Sequence, residues 1–169
     1  ATPGDFNNET YPQKTIVRWE FGKRGDLPPV TLTWYDGANR PPRPKELEQG
    51  RNLPGQGGVY YGEKGTLVAP HMGTPRLIPE SEMNGFKFPE PSLPRGVNHY
   101  QEWIRACKVG PKPSTNFDYS GPLTETILLG NIAALAGKKL LWDGPKLEVT
   151  NDAKANQYLK RKYRQGWTL

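Results

Sequence analysis

Trp34, Tyr35, Asp36 and Gly37 stand together where an alternating stretch ends, and Arg40 and Arg43 follow within a few residues. Aromatic faces, a carboxylate and guanidinium forks are what a site for a polyhydroxylated small molecule needs. Rings cover the C–H faces of a sugar, while Asp and Arg accept from and donate to its hydroxyls. A plainer reading stands beside this one: strand-end aromatics pack, and an Asp-Gly pair turns the chain. His71, between Pro70 and Gly73 on a loop, is the one histidine placed to reach a ligand. His99 faces away from Trp103 on its helix. Cys107 falls on an apolar helical stripe, where a thiol acts as a small hydrophobe. The sequence has no GxGxxG entering a helix, no P-loop and no HExxH.

Elements must position these residues, and their period is legible. In TIVRWEF (15–21), Val17, Trp19 and Phe21 alternate with polar residues, as a half-buried strand requires. VTLTWYD (30–36) alternates likewise, with Val30, Leu32 and Trp34 on one face. GVYYGEKGTLVAP (58–70) reads as a hairpin turning at 63–65, and RLIP (76–79) as a short strand. The long irregular stretch 36–58 exceeds the usual loop length and is expected to be functional or mobile. FKFPEPSLPRG (86–96) reads as a tether leading to a helix over 98–108, whose apolar face is Tyr100, Trp103, Ile104 and Cys107. A second helix is expected to start near Pro122, to pack Ile127, Leu128, Ile132 and Leu135, and to stop at Gly137. KKLLWDG and KLEVT follow as short extended pieces, and a last helix is expected over 152–164. Sixteen of the 18 prolines precede residue 114. Strands followed by helices predict an α+β domain spanning residues 1–169.

Composition bounds the function. Of 169 residues, 34% are hydrophobic and 11% aromatic, which suits a lean core rather than a disordered tail. One cysteine excludes an internal disulfide framework. No apolar run approaches the roughly 18 residues needed to cross a bilayer, and no signal-peptide pattern opens the chain. The net charge of +6 raises the question of nucleic acid. Both signs are mixed throughout, however. The one basic cluster, Lys160, Arg161, Lys162 and Arg164, falls where cations would complement the dipole of the expected last helix. Neither nucleic acid nor membrane is an expected partner.

Seven stretches carry a wider likeness: RGDLPPVTLTWYDG (24–37), RPPRPKEL (40–47), YYGEKGTL (60–67), TPRLIPE (74–80), HYQEWIRACK (99–108), NFDYSGPLTETILLGNIAALAGKKLLWDG (116–144) and TNDAKANQYLKRKYRQGWTL (150–169). Through them the chain resembles the C-terminal domain of the Gfo/Idh/MocA oxidoreductases, the sugar and inositol dehydrogenase-like enzymes. The resemblance implies an open, largely antiparallel or mixed β-sheet with helices on one face, as in the C-terminal domain of dihydrodipicolinate reductase. It also implies an N-terminal Rossmann domain, outside these residues, that carries the glycine-rich loop and a Glu-Lys-Pro motif. Glu63-Lys64-Gly65 is not that motif, since Gly replaces Pro in a hairpin turn.

By this resemblance the chain holds no cofactor itself, NAD or NADP serving the intact protein, and it is not expected to be active alone. Trp34, Tyr35, Asp36, Arg40, Arg43 and His71 are its expected substrate contacts, a sugar or polyol the expected ligand. Its own Rossmann domain and further copies of itself are the expected partners, with Trp103 or Leu128 left exposed when the Rossmann domain is absent. Both a cytoplasmic and an exported location fit. The alternative is a stand-alone carbohydrate-binding module using the same Trp34–Arg43 segment without chemistry.

Overall fold

A computed structural model describes residues 1–3 and 9–167. The chain is α+β, with short antiparallel sheets and two α-helices. It divides into two compact units, residues 1–40 with 96–169, and residues 41–95.

The first unit opens with a three-stranded antiparallel sheet in the order β1 (Thr2–Pro3), β2 (Thr15–Phe21), β3 (Val30–Tyr35). The β2–β3 register pairs Val17 with Trp34, Trp19 with Leu32 and Phe21 with Val30, which puts all six on one face. Helix α2 (Phe117–Ala136) packs on the β2 part of that face. The Trp19 indole donates to the Thr126 carbonyl at 2.9 Å, and Val17 is buried. Beyond α2, the short β7 (Trp142–Asp143) and β8 (Glu148–Val149) form a hairpin. Its Val149 packs with Ile132 and Ala155 in this unit's core.

Helix α2 begins five residues earlier than the sequence suggests. Asn116 caps it by accepting the Asp118 N–H at 2.9 Å, and Pro122 lies inside the helix rather than in its first turn. Ile132 is buried as expected, but Ile127 and Leu128 are exposed. The last helix expected over 152–164 is also absent: a single 3-10 turn, Ala155–Tyr158, takes its place. The polar side chains there are spent on other backbone. Asn156 both accepts from the Val149 N–H and donates to the Val149 carbonyl, at 2.7 and 3.0 Å. Asn151 bridges Leu141 N–H and Lys139 carbonyl in the same manner. Side chains that bond backbone elsewhere compete with helix formation. Without that helix there is no dipole for the basic cluster to complement, and Arg164 instead lies over the Trp167 ring at 4.7 Å.

Helix α1 (His99–Lys108) starts where expected, with Asn98 accepting the Tyr100 N–H at 3.0 Å. None of its residues is buried: Trp103 is 64% exposed, Tyr100 is equally open, and Cys107 is exposed rather than packed. Periodicity shows that a helix has an apolar face; it does not supply the surface that covers it.

In the second unit, β4 (Gly57–Gly62) and β5 (Gly65–Pro70) form the expected hairpin, and β6 (Arg76–Ile78) adds a third strand. Val68 and Ile78 build the core together with Leu47, which comes from the long irregular stretch and is only 4% exposed. That stretch is thus anchored, not free.

Candidate functional site

The segment expected to bind ligand lies at the C-terminal end of β3. Because successive strand residues face opposite sides of a sheet, Trp34 and Tyr35 diverge. Trp34 shares its face with Leu32 and Val30, all exposed, Trp34 at 58%. Tyr35 is half-buried on the other face, paired with Ile16. A single small ligand on one face of the sheet therefore meets one of these rings, not both.

Asp36 turns the chain. Its N–H donates to the Thr15 carbonyl at 3.0 Å, and one carboxylate oxygen accepts the Gly37 N–H at 2.8 Å. Gly37 has a φ of +65°, and a Cβ there would lie 2.0 Å from the Gln13 carbonyl oxygen, so only glycine fits. The other carboxylate oxygen of Asp36 has no partner among the described residues, so the turn leaves half of the acceptor capacity available. Asn39 closes the turn by donating its side-chain amide to the Thr15 carbonyl at 3.1 Å. Arg40 is exposed and, among the described residues, bonds only its neighbour's carbonyl, Asn39, at 3.3 Å. Trp34, Asp36 and Arg40 thus follow one another along a short, locally fixed turn. The chemistry available is an aromatic face, a carboxylate and a guanidinium.

Arg43 and His71 belong to the other unit. The Arg43 guanidinium is taken up by its own loop, donating to the carbonyls of Pro44, Leu47, Glu48 and Arg51 at 2.6–3.3 Å. It folds residues 44–51 around itself and so holds Leu47 toward the core. Sequence reasoning missed this role, because nothing local in RPKELEQGR (43–51) shows that the backbone turns its carbonyls toward Arg43. His71 follows β5 directly; its N–H continues the ladder by donating to the Gln56 carbonyl at 3.0 Å, and its ring is exposed. No carboxylate is positioned to orient that ring among the described residues.

A charged cluster braces the same loop. Glu48 accepts from the Glu80 N–H and lies 3.7 Å from Arg76, while Arg51 pairs with Glu80. The backbone N–H groups of Glu48 itself and of Glu80, with Arg51 and Arg76 adding charge, hold the Glu48 carboxyl below its ordinary value of 4.5.

The described residues do not fit a dinucleotide. Pyrophosphate binding needs a glycine-rich turn from a strand into a helix N-terminus with free N–H groups. Here both α-helices begin after loops, and each is capped by an asparagine. Among the described residues no cluster of three His, Cys, Asp or Glu side chains is arranged to hold a metal ion. No helix among them is long and apolar enough to cross a membrane. Comparison with protein-family models finds no match to this chain, and neither does comparison with curated proteins.

Proposed function

We propose that this chain is the substrate-binding and oligomerisation domain of an NAD(P)-dependent oxidoreductase acting on a sugar or cyclitol derivative. The nicotinamide cofactor is held by a separate Rossmann domain of the same protein. The observation that carries this reading is the surface left uncovered. Besides Trp34 on β3, which is left for the ligand, Trp103 and Tyr100 on α1 and Phe117, Ile127 and Leu128 on α2 are exposed. Large apolar side chains left open along both helices suit surfaces that other protein covers.

Trp34 is the ring assigned to the sugar, with Asp36 and Arg40 bonding its hydroxyls; Arg43 shapes its own loop instead. The test uses the full protein with a panel of sugars and inositols. Replacing Trp34 by Ala is expected to raise the substrate KM about tenfold or more, the weight of one aromatic contact, and to leave cofactor affinity unchanged. Unaltered kinetics on every turned-over substrate would remove Trp34 from the site. Sugar binding by residues 1–169 in a protein that never reduces NAD or NADP would favour the stand-alone carbohydrate module.

A further inference from the structure

The basic run Lys160, Arg161, Lys162 and Arg164 has lost the account that the sequence suggested for it. It follows the 3-10 turn Ala155–Tyr158, not a helix whose dipole it could complement. Carboxylates do not take it up either. Residues 153–167 hold five cations and no acid. The acids of the preceding segment are already paired, Asp152 with Lys138 at 2.8 Å, and Asp143 and Glu148 with Lys146. None of the four cations has an ion-pair partner among the described residues. Like charges held this close repel, and a bound anion relieves that cost.

A local turn gives the run its shape. The Trp167 N–H donates to the Arg164 carbonyl at 3.1 Å, and Gly166, with a φ of +86°, holds the third position, where glycine turns at no steric cost. The turn returns Trp167 onto its own first residue, so the Arg164 guanidinium lies over the indole, 4.7 Å from the ring centre. Arg161, Lys162 and Tyr163 join Arg164 and Trp167 in lining an open cavity of about 300 Å³. That volume lies at the lower end for sites that hold small molecules. Its cations are donors only, Tyr163 adds a hydroxyl, and Trp167 presents an exposed ring.

We propose that residues 161–167 form a binding site for a phosphate monoester carried on a small ring compound. Near neutral pH such a group carries a charge of about −1.5 to −2 and three acceptor oxygens. That matches two guanidinium forks and an ammonium better than a single carboxylate does. Held over the indole, Arg164 meets the phosphate with part of its side-chain freedom already spent. Trp167 and Tyr163 offer faces on which the ring stacks, a sugar through its C–H groups or a base through its π-face. A polymer fits less well, because an extended polyanion needs cations along a groove, whereas these gather around one cavity. The inference does not rest on the role given to Trp34, and its test needs neither turnover nor NAD(P).

The test is titration calorimetry of this chain with a hexose phosphate, AMP, inorganic phosphate and the unphosphorylated hexose. The tighter of the two esters, expected to bind with a Kd of roughly 0.1–1 mM, identifies the ring. Arg164→Ala and Arg164→Lys are both expected to weaken it about tenfold or more, since an ammonium reproduces neither the fork nor the stack. Lys87→Ala, which removes an exposed cation from the other unit, is expected to change it less than about twofold. Binding is also expected to fall as the pH drops through about 6, where the ester takes up its second proton. Several results would each overturn the proposal: no saturable binding of either ester, inorganic phosphate or plain hexose binding as tightly as the ester, or equal losses from Lys87→Ala and Arg164→Ala. So would displacement of the ester by excess hexose, which would place it at Trp34, or tighter binding of a single-stranded oligonucleotide. If the Arg164 variants fail to fold by circular dichroism, Trp167→Ala, expected to weaken the ester about fivefold or more, and the displacement by hexose decide.

Discussion

Trp19 fills the space above Gly130. A Cβ at Gly130 would lie 2.5 Å from the Trp19 ring and 3.3 Å from Val17, so the close approach of α2 to the sheet depends on this glycine. Gly130→Ala gains helix propensity but forces the indole or the helix aside. Overpacking of that kind costs about 1–3 kcal/mol. Thermal unfolding of the variant is expected at lower temperature than wild type; an unchanged or raised midpoint would mean that the Trp19 contact yields freely.

Arg43→Ala is expected to loosen residues 44–53 without disturbing the first unit. Four carbonyls lose a donor, and Leu47 loses the turn that holds it against Val68 and Ile78. Removing charged hydrogen bonds of this kind costs about 1–3 kcal/mol. Hydrogen exchange at the amides of Leu47 and Arg51 is expected to accelerate, and Arg43→Lys is expected not to restore protection, since one ammonium cannot reproduce the fork. Protection equal to wild type in either variant would contradict the role given to Arg43.

Trp34 and Tyr35 face opposite sides of the sheet, so the proposed ligand contact falls to Trp34 and not to Tyr35. Tyr35→Phe is expected to leave substrate KM in the full protein within about twofold, whereas Trp34→Ala raises it. Equal effects of the two would place the ligand at the strand end, astride both faces.

Strands β2 to β6, the hairpin turn expected at 63–65 and the Asn98 cap were legible because each is a local signal: alternation, turn chemistry, a capping side chain; the two-residue β1 carried no such signal. So was the Trp34–Asp36 segment as a strand end. The opposite facing of Trp34 and Tyr35 also follows from period 2, once the strand is known to run through both. Other features depend on distant partners. Asn151 and Asn156 leave the helical pattern because backbone groups of β8 and the 139–141 segment take their side chains. Arg43 resembled a ligand group because its sequence does not show that the next eight residues curl around it. The exposure of Trp103 and Leu128 agrees with what the family resemblance implied, whereas Cys107, expected to pack as a small hydrophobe, is exposed, because a sequence pattern does not distinguish a face buried in its own unit from one left open.

Acid is expected to weaken the fold through three carboxylates. Glu20 is lowered by its hydrogen bond to Lys139 and by the charge of that lysine; Glu48 by the backbone N–H groups around it; Asp152 first by its hydrogen bond to Lys138. A folded value below the unfolded one gives stability that is present above the ordinary carboxylate range and is lost as pH falls through the folded value. Stability is therefore expected to hold near neutrality and to decline from about pH 5 downward. Glu48→Gln should flatten that decline for the 41–95 unit, and salt should shrink the share of the exposed Lys139–Glu20 pair. A profile that rises toward acid would contradict these assignments.

The most direct measurement compares residues 1–169 with the full protein by titration calorimetry against NAD and NADP, and by nicotinamide absorbance over sugars and inositols. Micromolar cofactor binding and sugar-dependent turnover are expected in the full protein, and neither in residues 1–169. Micromolar binding of NAD or NADP by residues 1–169 alone, or any turnover by them above a buffer blank, would contradict this.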